Sequence, residues 1–226
     1  MEQRVSARND AIPAQTIQSA LLTKSFELLV KRSIDLVISV TALAVLSPIL
    51  LILALAVKLS SRGNILFCQE RCGLHGRLFT MYKFRTMLRR EEWPAEWPTD
   101  QPLVRNGTLN KQRHDTRVTP LGRFMRRCSL DELPQLFNVL IGDMSLIGPR
   151  PLLPGLIENH PELNKVRHLV RPGISGLWQI RNRARGTNVL NMVDDDLEYL
   201  RCFSLRLDLQ IFLQSLPLLL GDDNAF

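Results

Sequence analysis

Two adjacent carboxylates, Asp131 and Glu132, are the residues of this sequence best suited to chemistry. They lie in the segment RCSLDELPQ, where Ser129 and Glu132 have the Ser-x-x-Glu spacing of a helix capping box. Pro134 argues against that box, because it would lie inside the helix, where its missing N–H leaves a carbonyl unpaired. With Asp131 as the N-cap, Pro134 lies in the first turn, and both acids lie at the positive end of a helix dipole, which favours phosphate. The spacing alone leaves a capping role and a catalytic role open.

Basic residues in rigid segments are candidates for binding phosphate. Arg150 and Arg171 lie in the Pro- and Gly-rich stretches GPRP and RPG, and arginine can bind phosphate through two parallel hydrogen bonds. Lys83 and Arg85 lie at the end of a β-prone stretch, YKFRTM, where alternate side chains point to the same side. Each cation alone is usually a solvated surface charge. The four cations together favour a site for a phosphorylated molecule.

An uncharged apolar run, LVISVTALAVLSPILLILALAV, extends over residues 36–57. As a helix it would be about 33 Å long, enough to cross the ~30 Å hydrocarbon layer of a bilayer. Pro48, which follows Ser47 near the middle, removes a backbone hydrogen bond and favours a kink. The positive-inside rule draws both ends of the run toward the cytoplasm, because basic residues flank each end: Lys31, Arg32, Lys58 and Arg62. The residues alone leave a re-entrant and a spanning topology open.

A β-hairpin and a long loop are predicted after the apolar run. The stretches ILFCQE and LFTMYKF have the composition of short strands. The turn between them contains Gly73 and Gly76, which suit positive φ angles. Residues 89–119 contain three prolines and two Trp-Pro pairs, which predicts a long loop with little regular structure.

Helices are predicted from the hydrophobic spacing of three further segments. Residues 131–141 predict a helix with apolar positions 133, 136, 137 and 140, which ends at Gly142. Residues 16–32 have helical spacing and are predicted to lie on the membrane surface or to lead into the buried helix. Residues 197–220 predict a largely helical, interfacial segment that Pro217 interrupts.

The composition excludes a disordered or collagen-like chain. The 226 residues are 45% hydrophobic and 23% charged, which suits one globular domain with an appendage. The formal net charge of +7 favours anionic partners, namely nucleic acid, anionic lipid or phosphorylated small molecules. The four cysteines have neither zinc-site spacing nor the density of a disulfide framework, so we expect reduced thiols in the cytosol.

These segments resemble one family, the bacterial sugar transferases, and within it the small monotopic phosphoglycosyl transferases. The resemblance rests on KRSIDLVISVTALAVLSPILL, YKFRTM, GRFMRRCSLDELPQLFNVLIGDMSLIGPRP and VRPGISGLWQI. It covers residues 31–87 and 117–181, with a weaker likeness in DDLEYLRCFSLRLDLQIFL.

The resemblance implies a two-step phosphoryl transfer that begins glycoconjugate or exopolysaccharide synthesis. Asp131 would attack the β-phosphate of a nucleotide-diphosphate sugar, expected to be a UDP-sugar, and hold the phosphosugar covalently. Polyprenyl (undecaprenyl) phosphate would then accept it. Glu132 would act with Asp131 by binding Mg²⁺. The phosphate contacts would come from four basic side chains: Lys83, Arg85, Arg150 and Arg171.

The resemblance also implies a fold and a location. The fold would be α+β and mostly helical, with a re-entrant membrane helix broken at Ser47 and Pro48, interfacial amphipathic helices, a small β-hairpin and a compact cytosolic catalytic domain. The expected division is an interfacial segment (1–33), a membrane helix (34–58) and a catalytic domain (59–226). The protein would be monotopic in the bacterial inner membrane and face the cytoplasm. Its partners would be donor, acceptor and membrane lipid, with a homodimer as a candidate assembly and no nucleic acid.

The sequence departs from the family pattern in two regions. RNRARGTN follows VRPGISGLWQI where the family commonly has Asn-Gly-Arg, and the loop of residues 89–119 is long. Both regions are predicted to touch the sugar or the nucleotide, so the resemblance leaves the sugar and the base open. The alternative function is a membrane-anchored basic protein that binds an anionic polymer, although no helix-turn-helix, RNP or basic-aromatic pattern is present.

Overall fold

The computed structural model describes residues 14–93, 104–105, 108–109, 115–159, 166–182 and 189–219. Within these ranges the α-helices are α1 (Ala14–Thr23), α2 (Ser25–Ser60), α3 (Pro120–Arg127), α4 (Gln135–Ile141), α5 (Pro154–Asn159), α6 (Leu177–Asn182), α7 (Val189–Arg201) and α8 (Leu205–Ser215). The strand pairs are antiparallel β1 (Leu66–Cys72) with β2 (Leu78–Phe84), antiparallel β3 (Val104–Arg105) with β4 (Thr108–Leu109), and parallel β5 (Ser145–Ile147) with β6 (Gly173–Ser175). The predicted mostly helical α+β architecture with a small hairpin is confirmed.

Helix α2 contains the whole apolar run and is long and apolar enough to cross a membrane by length and composition. Its 36 residues continue through Pro48. Pro48 has no N–H for the Ala44 carbonyl one turn earlier, but the Ser47 hydroxyl donates to that carbonyl at 2.8 Å. The Ser-Pro pair therefore compensates its own lost hydrogen bond and does not end the helix. The bend expected at this pair remains a prediction.

One face of α2 packs against the rest of the protein along its length. Lys31, Asp35 and Ser39 are buried near its start, and Leu53 and Val57 are buried near its end. Between them, a few partly buried side chains contact the two hydrophobic clusters of the core: Ile38, Ala42, Leu43, Leu50 and Ala54. The opposite face exposes large apolar side chains: Val37, Val40, Val45, Ile52 and Leu55. One face of α2 therefore lies against the protein, and the other face leaves its apolar side chains exposed.

Buried polar contacts fasten the first half of α2 to the body. The Lys31 ammonium lies 2.6 Å from the Asp208 carboxylate on α8. Four residues along α2, Asp35 accepts hydrogen bonds from the Ser145 hydroxyl at 2.7 Å and the Leu146 N–H at 3.1 Å. Because residues four apart lie on the same face of a helix, these contacts hold one face of α2 against both α8 and β5.

The β1–β2 hairpin confirms the predicted strand pair and corrects its turn. Leu66 pairs with Phe84 at one end of the ladder, and Cys72 pairs with Leu78 at the other. Gly76 has the predicted positive φ of 74°, but Gly73 is extended, and His75 takes the second positive φ, 55°. The prediction for Gly73 is therefore wrong.

Asn138 connects α4 to the hairpin. Its side chain is fully buried, donates to the Thr80 carbonyl at 2.7 Å and accepts from the Tyr82 N–H at 3.0 Å. The predicted apolar stripe of α4 is only partly confirmed. Leu136 is buried, but Phe137 is 49% exposed, and Val139 is buried in its place. The polar Asn138 displaces the expected pattern, because its amide satisfies both an N–H and a C=O of β2.

The two ends of the described chain meet in the main core cluster. Ile17 and Leu21 of α1 are buried in the same cluster as Phe203 and Ile211 near α8. The predicted C-terminal helix is divided earlier than expected, since α7 ends at Arg201 and α8 starts after Ser204, whose hydroxyl accepts from the Leu207 N–H. The interfacial location predicted for this segment remains a prediction.

The predicted loop over residues 89–119 lies largely outside the described residues, including the second Trp-Pro pair. Its described parts include a 3₁₀ turn, Arg90–Glu92, and the two-residue strands β3 and β4. The Trp93 indole donates to the Leu88 carbonyl at 3.2 Å. The Arg117 guanidinium lies 4.7 Å from the centre of the Trp93 ring. Trp93 thus packs within the protein.

We predict that Lys31→Met lowers the free energy of unfolding by about 3 kcal/mol, because it leaves the buried Asp208 carboxylate without its cation. Adding Asp208→Asn should recover part of this loss, since the stranded charge is removed while an oxygen remains for the Tyr199 hydroxyl, now 2.7 Å away. Both effects are measured as changes in the free energy of unfolding of the single and the double variant in nanodiscs. A Lys31→Met chain as stable as the wild type would show that this ion pair does not fasten α2.

Candidate active site

A cavity of about 720 Å³ opens between the β-hairpin, the α3–α4 connection, the loop after β5, and α6. This volume is within the range of about 300–1,000 Å³ that is usual for small-molecule sites. Five of the predicted site residues line it: Lys83, Arg85, Asp131, Glu132 and Arg150. The fold therefore brings together residues that are up to 67 positions apart in the chain.

Asp131 lies in a 3₁₀ turn, Leu130–Glu132, that precedes α4. Neither capping arrangement considered from the sequence occurs, because neither Ser129 nor Asp131 makes a side-chain cap, and the Glu132 N–H donates to the Ser129 carbonyl. Ser129 has a φ of 54°, a left-handed conformation that costs a non-glycine residue roughly 1–2 kcal/mol. Strain of this kind concentrates at functional sites, and Ser129 immediately precedes the turn that contains Asp131.

The Asp131 carboxyl is buried and its charge is compensated from two sides. Burial, followed by the neighbouring Glu132, raises the pKa of Asp131, while Lys83 and Arg126 act to lower it. Arg126 is itself held in place, since its Nε donates to the Thr86 hydroxyl at 2.9 Å. A carboxylate kept partly dry is a stronger nucleophile than a hydrated one, provided that nearby cations keep it ionised.

Glu132 forms an ion pair with Lys83, whose Nζ lies 2.6 Å from Oε1. Lys83 is on β2 and Glu132 is on the turn before α4, so the contact depends on the Asn138 bridge between those elements. The side chains of the pair keep 18% and 25% of their exposure, so both remain open to a ligand in the cavity.

Arg85 lines the cavity, but its guanidinium donates hydrogen bonds to carbonyls at the end of α2. It donates to the carbonyls of Ser61 at 2.7 Å, Val57 at 3.3 Å, and Arg62. Cations at a helix C-terminus stabilise the unpaired carbonyls there. Arg85 therefore links the membrane helix to the site, a role that the strand pattern did not indicate.

Arg150 also lines the cavity and lies in the Gly-Pro-Arg-Pro loop singled out from the sequence. Its backbone carbonyl accepts from Arg167 at 2.6 Å, and Arg167 forms an ion pair with Asp196 at 2.7 Å. Burial raises the pKa of Asp196 to about 6, so the carboxylate is ionised at neutral pH and neutralises Arg167. The Arg150 guanidinium lies 5.7 Å from the centre of the Trp178 ring.

Sequence reasoning missed several cations and a carboxylate that build the site. Arg71 lines the cavity, and burial and nearby Arg150 lower its pKa to about 10. Arg126 was visible only as part of the basic run before Asp131. Nothing in the sequence indicated the buried ion pair of Arg167 and Asp196, because its two members lie far apart in the chain. Strand alternation could have suggested Arg71, which lies two residues from Gln69 on the same side of β1.

Arg171 is the predicted phosphate contact that the fold separates from the others. Its Nε donates to the Gly142 carbonyl at 2.8 Å, at the C-terminal end of α4. It lines a second, smaller cavity together with Arg32 and His75. Arg171 therefore does not line the cavity that contains the carboxylate pair, because its guanidinium binds the helix end that its charge stabilises. Its contact with phosphate stays a prediction.

The carboxylate pair could hold a divalent cation with help from a substrate. Within the described ranges, no group of three or more His, Cys, Asp or Glu side chains is placed to hold a metal ion. Mg²⁺ prefers oxygen ligands and is often held by one or two carboxylates, with phosphate and water completing its shell. The Asp131 and Glu132 oxygens fit that mode, and they do not fit a closed all-protein site.

Comparison with known proteins identifies the family. Residues 26–222 match the profile of the family described as Bacterial sugar transferase. The match covers the membrane helix, the hairpin and every wall of the cavity described above. The chain belongs to this family.

Curated relatives are similar over most of this chain. An "Undecaprenyl-phosphate glucose phosphotransferase" of Komagataeibacter xylinus is 42% identical over 89% of the chain and 38% of its own length. A "UDP-glucose:undecaprenyl-phosphate glucose-1-phosphate transferase" of Caulobacter vibrioides is 41% identical over 87% of the chain and 72% of its own length. An "Undecaprenyl-phosphate galactose phosphotransferase" of Salmonella typhimurium is 36% identical over 93% of the chain and 44% of its own length. The chain thus spans less than half of the length of two of these relatives.

We predict that Asp131→Asn unfolds at a higher temperature than the wild type near neutral pH. The unfolded carboxyl has its ordinary pKa of 3.8, and the folded one has a raised pKa. The folded state therefore binds the proton more tightly, and the wild type loses stability relative to the variant as the pH rises from about 4. Thermal unfolding across that range tests the sign. A variant less stable than the wild type at neutral pH would contradict this prediction. It would show that Lys83 and Arg126 stabilise the charged carboxyl by more than burial destabilises it.

Proposed function

We propose that the protein transfers a sugar 1-phosphate from a UDP-sugar to polyprenyl phosphate. The observation that carries this proposal is the buried Asp131 carboxylate, beside Glu132, Lys83 and Arg126, at one end of a cavity that extends to Arg150. The relatives named above act on undecaprenyl phosphate and differ in the sugar, so the acceptor is better supported than the hexose. Glucose is the first sugar to test.

In the first step, an Asp131 carboxylate oxygen attacks the β-phosphorus of the donor. The bond from that phosphorus to the oxygen bridging to the α-phosphate breaks, and the nucleoside monophosphate leaves with the electron pair. A carboxylate nucleophile divides one difficult displacement into two easier ones. Lys83 and Arg126 favour the ionised form of Asp131 before the attack, and Arg71 and Arg150, which also line the cavity, stabilise the diphosphate charge.

In the second step, a phosphate oxygen of the polyprenyl phosphate attacks the same phosphorus. The bond to the Asp131 oxygen breaks, which restores the carboxylate and releases a polyprenyl-diphospho-sugar. The cavity wall also contains apolar side chains, Leu146, Ile174 and Phe212. These suit the first isoprene units of the acceptor, because an apolar chain gains free energy on leaving water.

Mg²⁺ is the expected cofactor, with Glu132 as its principal ligand. When bound, it would neutralise charge on the transferring phosphoryl group. Glu132 is paired with Lys83 through Oε1, so a metal ion held by that oxygen would displace the lysine. The freed Lys83 ammonium would then lie beside the incoming phosphates, which is the role that the sequence predicted for it.

Helix α2 is proposed to enter the cytoplasmic side of the inner membrane and return to that side. Its buried face contacts α8 and β5 near Lys31 and Asp35, and it contacts β2 and α3 near Leu53 and Val57. Contact of both ends of α2 with one protein body supports a topology in which both ends lie on the same side of the bilayer. The exposed apolar face then lies in lipid, and the carboxylate pair lies at the level of the headgroups.

The alternative of a basic protein that binds an anionic polymer is less well supported. Polymer binding needs cations exposed along a surface. Arg71 and Arg126 are partly buried and line the cavity, so they suit a small anionic ligand instead.

The two carboxylates should differ in their kinetic effect. We expect Asp131→Asn to lose at least about 10³-fold in turnover, since removal of a covalent nucleophile leaves only binding and electrostatic contributions. It should also form no phosphosugar adduct when UDP-glucose is added alone and the intact mass is measured. Glu132→Gln should still bind donor but need much more Mg²⁺ for turnover.

The matched control for these variants is Asp194→Asn. It makes the same chemical change at an exposed position on α7, and it should keep wild-type turnover and adduct formation. Near-normal transfer by Asp131→Asn, with UDP-glucose and undecaprenyl phosphate as substrates, would end the covalent proposal.

The membrane topology can be tested with single cysteines in a chain whose four native cysteines are replaced. Ser19 on α1 and Asn64 before β1 are both exposed and lie on either side of α2. We expect Ser19→Cys and Asn64→Cys to react with an impermeant maleimide only after the spheroplasts are opened. Reaction of one position in intact spheroplasts would show that α2 spans the membrane.

A further inference from the structure

Two neighbouring side chains on α6 carry buried polar atoms without partners. Gln179 is 7% exposed and Trp178 is 3% exposed. Within the described part of the chain, neither amide atom of Gln179 nor the indole nitrogen of Trp178 has a hydrogen-bond partner. Both residues line the cavity that contains Asp131.

This lack of partners is costly for the folded protein without substrate. A buried donor or acceptor without a partner destabilises the folded protein, because it has lost its hydrogen bonds to water and gained none in return, and such groups are rare in native proteins. A neutral amide with both functions unpaired has no structural use in its present surroundings. A ligand that both donates and accepts hydrogen bonds would remove the cost.

Close backbone packing limits how far Gln179 can move to find another partner. A Cβ at Gly176, one turn earlier, would lie 2.2 Å from the Gly148 carbonyl oxygen and 2.9 Å from the Gln179 Oε1. The start of α6 is therefore pressed against the loop after β5. The amide is held at the cavity wall before a substrate binds, which lowers the entropy lost on binding.

The lining of the cavity contains neutral polar groups as well as cations. The Ser175 and Ser215 hydroxyls, 2.6 Å apart, both line it. Arg150 lies over the Trp178 ring, so the indole lies next to one of the cations expected to bind phosphate. The cavity thus offers cations for phosphates together with neutral hydrogen-bonding groups for an uncharged part of the same ligand.

We propose that Gln179, with the Trp178 N–H, binds the hydroxyl groups of the donor's hexosyl group. This inference rests on the transfer reaction proposed above and assigns its sugar-recognition site. Each sugar hydroxyl both donates and accepts, and it therefore satisfies an amide and an indole N–H together. A nucleobase would instead need an open aromatic face for stacking, and the Trp178 ring is buried beneath Arg150.

The test is Gln179→Leu, which keeps the approximate size of the side chain and removes both unpaired atoms. Because no hydrogen bond is lost in the free protein, the variant should unfold at the same or a higher temperature. Binding is measured by calorimetry in the Asp131→Asn background, where no transfer occurs. We expect UDP-glucose to bind at least about tenfold more weakly and UMP, which has no hexose, to bind as before.

Trp178→Phe is the second variant, since it removes the N–H and keeps an aromatic ring. It should weaken UDP-glucose binding and spare UMP binding in the same way. Gln210→Leu is the matched control, because Gln210 is exposed on α8, and it should leave the affinity for both ligands unchanged.

Two results would overturn the inference. Equal weakening of UMP and UDP-glucose would assign the amide to the nucleoside, and unchanged binding of both would show that Gln179 does not touch the donor. These outcomes differ from failure of the proposed function, in which the wild-type protein itself would neither bind UDP-glucose nor release UMP from it in the presence of undecaprenyl phosphate.

Discussion

Asp131 and Glu132 are neighbouring carboxylates that the fold withdraws from water, and the whole site depends on how their charge is compensated. Burial and mutual repulsion both oppose ionisation of Asp131. Lys83 from the hairpin and Arg126 from α3 oppose those effects, so each must be delivered by a different element to within a few ångströms. The hairpin, α3 and α4 are therefore arranged around one electrostatic requirement.

The same requirement extends to the membrane helix. Arg85 follows Lys83 by two residues and binds the carbonyls at the end of α2, so the strand that supplies the cation for Glu132 also holds α2. At the other end of α2, Lys31 and Asp35 bind Asp208 and Ser145. The residue that holds the end of α2 and the residue that pairs with Glu132 are thus only two positions apart. We therefore expect a movement of α2 relative to the body to shift Lys83 and the carboxylate pair.

The accuracy of the sequence-based predictions followed how local each interaction is. The hairpin, α4 and the Gly142 helix end depend on neighbouring residues, and they were predicted. Phe137 was assigned to the core because it is apolar, yet Asn138 took the buried position, since the edge of β2 offered partners for its amide. Arg171 was placed with the phosphate contacts because its loop is rigid, but rigidity does not indicate the direction in which a side chain points.

The sequence by itself determined the local features: the apolar length of α2, the alternating strands of the hairpin, the adjacent carboxylates and the rigid arginine loops. These follow from residue type and spacing, which act over a few positions. Only the tertiary structure decided which cations meet Asp131, that Arg167 and Asp196 support the Arg150 loop, and that the Gln179 amide has no partner among the described residues. Those outcomes depend on contacts between residues far apart in the chain, and on burial, which strengthens electrostatic interactions and makes each unpaired polar group costly.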